Sequence, residues 1–354
     1  MSNLEKIVDW YLSSPIYKNG AYFAYYSSRR KGPIYPEITA YAISLSCVLF
    51  RRRNDLKFLE RAETCAEYLR RVGRNGGIPS LTDNLLYAFD TGIFISSMLD
   101  LYKLTEKKVY LNEAEKSLNW LISLWDKTPF SAVDKLPESK AWYHLPSVHL
   151  VKLVIPLLKV SKCLGDIEYE KKALKLLSKY SGLQTNGGGF RVNEASTDIM
   201  SHPHCYAIEG FLYAYYLLRD QKLLEAARKG SEWLTKVQNS DGSFYRRYTI
   251  ERASESYGTK NMAREKLKTS DVTAQATRIW KLLGVNQQGI EKAYRYLNDQ
   301  TKNGGLILFR SGSLTARARE LFSWRKPVYS WPTFFYLHSL ILPFGKIEYC
   351  SELF

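Results

Sequence analysis

A turn signal recurs along this chain every few tens of residues, and a period of that size constrains the fold more than any single residue does. Asn19-Gly20, Asn75-Gly76-Gly77, Asn186-Gly187-Gly188-Gly189-Phe190, Asp241-Gly242-Ser243-Phe244 and Asn303-Gly304-Gly305 each join Asn or Asp to glycine, often with an aromatic after it. A charge-rich stretch precedes each: 3–14, 56–72, 167–181, 223–237 and 288–299. The apolar residues of these stretches fall on one helical face, which predicts helices that pack inward and face solvent outward.

After each turn comes a short extended piece and then a helix nearly free of charge. These second helices start near Pro36, Asp90, His144, Pro203, Asp271 and Trp331, at separations of 54, 54, 59, 68 and 60 residues. That is the length of a two-helix hairpin with its loop. Segments 38–50, 91–99, 145–158, 205–217, 272–283 and 331–342 are apolar on most sides, so they should be buried all round. Segment 3–14 is an unpaired outer helix and 331–342 an unpaired inner one, giving six of each. The predicted fold is all-α: one (α/α)6 toroid over residues 1–354, its two ends closing the ring on each other.

Composition narrows the partners. The longest apolar runs, such as 38–50, fall short of the roughly 18 residues a membrane span needs. The start, MSNLEKIVDW, lacks the features of a signal peptide, so a cytoplasmic protein is expected, without membrane insertion. Five scattered cysteines without CxxC spacing read as reduced, mostly buried thiols. The net charge of +16 favours an acidic partner, but Lys and Arg are spread over many outer helices and form no basic arm of the kind nucleic acid would need.

In such a ring the inner helices run parallel, so their N-termini and the preceding turns gather at one mouth, where helix dipoles favour anions. That mouth would hold Tyr35, Glu37, Phe89, Asp90, Trp142, Tyr143, His144, His202, His204, Asp271 and Trp331. Aromatic rings suit the C–H faces of sugars, and glycosyl transfer needs one carboxylic acid and one carboxylate. Glu37, Asp90 and Asp271 are therefore candidate catalytic groups. The alternative for each is capping, since acids are favoured in any first helical turn and outer helices also open with Asn54-Asp55 and Thr105-Glu106. The inner starts differ in pairing their acid or histidine with Tyr, Phe or Trp.

His202-Pro203-His204-Cys205 offers two histidines and a thiol. A zinc site usually takes three or four protein ligands, and no partner motif is present, so no metal is assigned. His204 is instead read as a group that orients substrate or transfers a proton, with capping and packing as the alternative. Arg191, Arg246 and Arg310 follow the turns and could bind a carboxylate or sulfate on the rim, or simply be solvated there. The charged inserts 245–270 and 310–330 flank the mouth as lids or binding loops, with disorder as the alternative. Trp142 and Trp331, on opposite sides of the ring, could grip one extended saccharide. Glu209 and Arg278 stand inside sequential inner helices, about 9–10 Å below the mouth at 1.5 Å per residue, and should meet. Asp271, Gln275 and Arg278 form one stripe from mouth to floor, and Glu209 reads as the positioning partner of Arg278.

Over nearly its whole length the chain resembles the toroids of six-hairpin glycosidases, of sugar epimerases of the acylglucosamine 2-epimerase type and of glucuronyl C5-epimerases. Phe89-Asp90-Thr91-Gly92 looks like the aspartate-bearing helix starts of unsaturated uronyl hydrolases. No second catalytic residue aligns with any one of these families. Gln238-Asn239-Ser240-Asp241-Gly242-Ser243-Phe244 looks like the Gln-Trp repeat of terpenoid cyclases, a toroid shared by prenyltransferase β-subunits, but the chain has no DxDD or DDxxD carboxylate cluster for their chemistry. The resemblance implies a glycan-processing enzyme without a cofactor, a glycoside hydrolase on an acidic, uronate-type oligosaccharide. Asp90 would be its general acid or base, Asp271 or Glu37 the partner, and His204 an orienting group. A sugar epimerase and a non-catalytic glycan-binding toroid are the alternatives.

Overall fold

The computed structural model describes residues 2–81, 85–125, 145–250, 262–263, 267–311 and 326–354, with 262, 263 and 311 described by their backbone alone. Helices α1 (Asn3–Ser13), α3 (Leu56–Val72), α5 (Lys108–Trp125), α7 (Ile167–Ser181), α9 (Gln221–Val237) and α11 (Gln287–Asp299) alternate along the chain with α2 (Pro36–Arg53), α4 (Ala88–Thr105), α6 (Val154–Leu164), α8 (Ser201–Leu218), α10 (Ser270–Leu283) and α12 (Ser330–Ile341). A 3-10 segment, Val148–Leu153, leads into α6. The even-numbered helices pack in succession and α12 packs back on α2. Each odd-numbered helix from α3 on packs against the inner helix before it, and α1 packs on α12, so the ring closes as the sequence predicts.

The two kinds of helix differ as their sequences do. In α9, Leu223, Leu224, Ala227, Gly230, Ser231, Trp233 and Leu234 are buried along one face, and Asp220 caps the start by accepting the Lys222 N–H. Asp55 and Asp166 cap α3 and α7 in the same way. Helix α8, by contrast, is buried almost continuously from Ser201 to Ala214. Inner helices pass to outer ones through tight corners with a left-handed residue, among them Asn54, Glu106, Gly165, Arg219 and Gly284. The described parts of the long connections therefore lie at the opposite end, over the inner N-termini.

The repeated turns are what join one hairpin to the next. At Asn75-Gly76 and Asn303-Gly304 both residues have positive φ (52° and 89°; 50° and 88°). A Cβ on Gly76 would come within 2.7 Å of the Lys116 carbonyl oxygen of α5, beside Trp120. One on Gly304 would come within 2.5 Å of the Lys6 carbonyl oxygen of α1, beside Trp10. Each turn thus lies flush on the next outer helix, one turn before an aromatic side chain, and the last turn closes on the first helix. The segment resembling the Gln-Trp repeat belongs to this system: the Gln238 amide donates to the carbonyls of Gly242 in its own turn and Gly289 in α11.

The mouth carries short antiparallel strands that an all-helical reading leaves out. They are β1 (Tyr17–Lys18), β2 (Ala21–Tyr22), β3 (Tyr25–Tyr26), β4 (Asp198–Met200), β5 (Phe244–Tyr245), β6 (Arg247–Thr249), β7 (Met262–Ala263), β8 (Leu267–Thr269), β9 (Thr301–Lys302), β10 (Gly305–Ile307), β11 (Phe309–Ser311) and β12 (Val328–Tyr329). Beyond the β1–β2 pair they form sheets in the orders β3-β12-β10-β9, β11-β8-β5 and β4-β6-β7. The ends of the predicted inserts 245–270 and 310–330 are strands of these sheets; residues 251–261, 264–266 and 312–325 lie outside the described residues. At the opposite end, the 3-10 helix Ile347–Glu352 packs on α8 and α10, and Phe354 lies among Tyr41, Phe335, His338 and the Arg278 guanidinium.

Candidate active site

A cavity of about 310 Å³ opens at the N-terminal ends of the inner helices, where the sequence places the site. Helix α2 brings Glu37 and its preceding residue Tyr35, α4 brings Phe89 and Asp90, α8 His202 and Tyr206, α10 Asp271, and α12 Trp331. These helices start without a side-chain cap from the residue before them: Tyr35, Tyr87, Met200, Thr269 and Tyr329 make no such bond. Their first-turn polar residues face the cavity because the ring converges there.

Glu37 accepts a hydrogen bond from the Tyr35 hydroxyl at 2.6 Å. Burial raises its carboxyl from 4.5 to about 7, against the opposing effects of the Tyr35 and Tyr41 hydroxyls and of nearby Lys152. About half of it therefore still carries its proton at neutral pH. Asp271 divides its oxygens: Oδ1 accepts the Val272 N–H at 2.8 Å, while Oδ2 accepts the Trp331 indole N–H at 3.2 Å and lies 3.5 Å from His202 Nδ1. One oxygen accepts at the helix start and the other turns to Trp331 and His202 beside the cavity. His202 rests on the Tyr206 ring at 4.4 Å, and Phe89 lies 5.0 Å from Tyr206 and 5.3 Å from the His149 imidazole. Desolvation lowers both imidazoles, His149 to about 3, so both are neutral.

Beneath the floor sits a fully buried charge cluster. The Glu209 carboxylate accepts from the Arg278 guanidinium, as the sequence predicts, and also from the Lys152 ammonium. The two cations hold Glu209 below its usual range despite burial, and burial lowers Lys152 to about 8. Arg278 also lies over the Phe335 ring at 4.4 Å, and Lys152 lies 5.4 Å from the Tyr206 ring centre.

Of the expected site residues, Tyr35, Glu37, Phe89, Asp90, His202, Arg246, Asp271 and Trp331 line the cavity. Trp142, Tyr143 and His144 lie outside the described residues. His204 does not face the cavity. Its Nδ1 accepts the Phe190 N–H, its Nε2 bonds the Gly230 carbonyl, and its ring packs on Trp233 at 4.6 Å. Two residues along a helix is a rotation of about 200°, so His202 points inward and His204 toward α9. The expectation of an orienting or proton-transferring His204 is corrected to a role in joining inner and outer helices. The same divergence separates the two histidines as potential zinc ligands. Among the described residues no group of three or more His, Cys, Asp or Glu could hold a metal ion.

The arginines also separate. Arg246 reaches the cavity, whereas Arg191 donates to the Glu194 carbonyl of its own loop, and Arg310 on β11 does not line the cavity. His149 and Tyr206 line the cavity without having been foreseen. Tyr206 stands four residues after His202, a spacing that could have revealed it. Nothing in the apolar segment 145–158 marks His149 or Lys152 as inward-facing, because the 3-10 turn changes the helical register there.

No family model and no curated protein matches this sequence. Solved structures do match its fold. A sugar epimerase from a ruminal bacterium superimposes with a TM-score of 0.70 at 11% identity, covering 96% of this chain and 99% of that one. Cellobiose 2-epimerase from Bacillus thermoamylovorans B4167 gives 0.71 at 10% identity, covering 96% and 98%. Unsaturated glucuronyl hydrolase from Bacillus sp. GL1, described as responsible for the degradation of glycosaminoglycan, gives 0.66 at 13% identity, covering 96% and 93%. The chain has the six-hairpin toroid fold of these enzymes.

Proposed function

We propose that this protein is a glycan-processing enzyme, a glycoside hydrolase that cleaves an acidic, uronate-type oligosaccharide. The observation that carries this reading is that Glu37, Asp90 and Asp271 share one aromatic-lined cavity, where burial raises the Glu37 carboxyl to about 7, so that a large share of it is still protonated near neutral pH. Hydrolysis of a glycosidic bond needs a carboxylic acid to protonate the leaving oxygen and a carboxylate to activate water or attack the sugar. Glu37 takes the first role and Asp90 the second. Asp271, fixed by Trp331 and next to His202, holds sugar hydroxyls; Trp331 and Phe89 offer ring faces; and Arg246 receives the uronate carboxylate. The unsaturated glucuronyl hydrolases among the matching structures support this substrate class.

One observation favours a second reading, sugar epimerisation. Neutral imidazoles, His149 and His202, line the same cavity as the Glu37 carboxylic acid: an imidazole could take a proton from carbon on one face of a sugar and the Glu37 carboxyl could give one to the other face, the enzyme groups then exchanging protons with water. Products separate the two. Incubation with size-defined uronate oligosaccharides should generate new reducing ends; unchanged chain length with deuterium incorporated from heavy water would instead establish epimerisation. Tight binding without turnover in either assay would leave a glycan-binding toroid.

A further inference from the structure

Beyond the cavity, the rim next to Trp331 carries two further aromatic rings, Tyr329 and Tyr25, that the reaction itself does not use. Strands β3 and β12 pair antiparallel with Tyr25 directly opposite Tyr329. Cross-strand partners project from the same face of a sheet, and their rings lie 5.4 Å apart. Tyr329 is two residues before Trp331 and its ring lies 5.1 Å from the indole. The rings thus step from the cavity wall outward at intervals comparable to one pyranose unit. All three are half-buried; the sheet fixes the backbones of Tyr25 and Tyr329 and the first turn of α12 that of Trp331, with the Tyr329 ring tilted 46° from Tyr25 and standing edge-on to the indole at 80°.

The row ends at a concentration of positive charge. After β3 the chain turns back through a hairpin whose bridges pair Tyr26 with Lys31 and Phe23 with Ile34. Its tip is held by the Ser27 hydroxyl, which accepts the Arg29 and Arg30 backbone N–H groups. This presents Arg29, Arg30 and Lys31 together, all exposed. Arg30 lies 6.0 Å from the centre of the Tyr25 ring, and Lys31 lies 5.8 Å from that of Tyr26. Among the described residues none of the three has a carboxylate partner. Three adjacent uncompensated cations raise the local concentration of an anionic ligand, while the ring faces take the apolar side of a sugar.

We infer that the β3–β12 rim is a binding track for the second and later residues of a polyanionic oligosaccharide, running from Trp331 over Tyr329 and Tyr25 to the Arg29-Arg30-Lys31 tip. The inference rests on the saccharide reading of the cavity and deepens it: the preferred ligand is an extended acidic chain that leaves the cavity on one side.

The test measures calorimetric affinity for oligogalacturonates and hyaluronan oligosaccharides of two, four and six residues. Native protein, Tyr25→Ala and the triple variant Arg29→Ser/Arg30→Ser/Lys31→Ser are compared at low and high salt. In the native protein, affinity should rise on the order of tenfold from disaccharide to hexasaccharide. Tyr25→Ala should abolish most of that rise, and the triple variant should remove its salt dependence. Disaccharide affinity should stay at the native value in both, which also shows that each variant is folded. A rise with chain length that survives both variants overturns the track. A disaccharide affinity reduced as much as the hexasaccharide affinity overturns it too, by placing these residues at the cavity. If no acidic probe binds the native protein at any length, the acidic-saccharide reading itself fails.

Discussion

The buried acid Glu37 offers the sharpest test of the site, because replacing it by glutamine should move stability and activity in opposite directions. The side chain is nearly inaccessible and accepts the Tyr35 hydroxyl, a bond that a glutamine carbonyl can also receive. Its carboxyl lies at about 7 in the folded chain against 4.5 as an ordinary glutamate, chiefly because burial disfavours the charged form. The folded state therefore holds this proton more tightly than the unfolded state does. The stability that difference provides is complete below pH 4.5 and is lost as pH rises toward 7, where the buried group must ionise. At roughly 1.36 kcal/mol per pH unit, the gap amounts to about 3 kcal/mol. Glutamine does not titrate, so Glu37→Gln should match the native protein near pH 4.5 and exceed it by about 3 kcal/mol at pH 8. With an unfolding entropy of roughly 2.1 cal/mol/K per residue, this is a gain of about 4 °C in Tm. Turnover should nevertheless fall by on the order of 10² or more, and native activity should decline as pH rises through about 7. Thermal melts of both proteins from pH 4.5 to 8, with rates over the same range, make the comparison. Melting curves that stay parallel across that range would refute a raised Glu37 carboxyl and, with it, the assignment of this residue as proton donor.

Three further outcomes test the scaffold. Glu209→Gln leaves Lys152 and Arg278 buried without their shared counter-charge and should cost about 3–5 kcal/mol in denaturant unfolding; adding Lys152→Met should recover part of the loss. His204→Ala strands the Phe190 N–H and the Gly230 carbonyl, at about 1–3 kcal/mol each, yet should leave the pH profile of turnover unchanged; a shifted profile would return this histidine to the chemistry. Gly304→Ala places a Cβ against Lys6 and Trp10 at a left-handed position and should cost about 2–5 kcal/mol by opening the seam of the ring. Gly182→Ala, where a Cβ meets nothing within 4 Å, is its control and should leave the melting temperature within a degree or so.

What the sequence determined by itself is everything that rests on periodicity. The recurring Asn-Gly and Asp-Gly turns, the charged stretches before them and the apolar helices after them specify six hairpins, because one-sided burial and all-round burial leave different patterns. The same reasoning placed Glu37, Asp90, Asp271 and Trp331 at one mouth and brought Glu209 to Arg278, since rise per residue fixes depth along a helix. Only the tertiary structure decided direction around each axis and partners across them. His202 faces the cavity and His204 faces α9 although both open the same helix. Arg246 reaches inward while Arg191 turns to its own loop. Lys152, set in an apolar stretch, completes the charge cluster through a register that a 3-10 turn shifts. Among the small sheets at the mouth, the pairing of Tyr25 with Tyr329 joins strands some three hundred residues apart, while pairs such as Asp198 with Thr249 join neighbouring hairpins. Strands of two or three residues carry too little local pattern to be seen in the sequence, and the partner of β3 is selected only when ring closure brings both ends of the chain together.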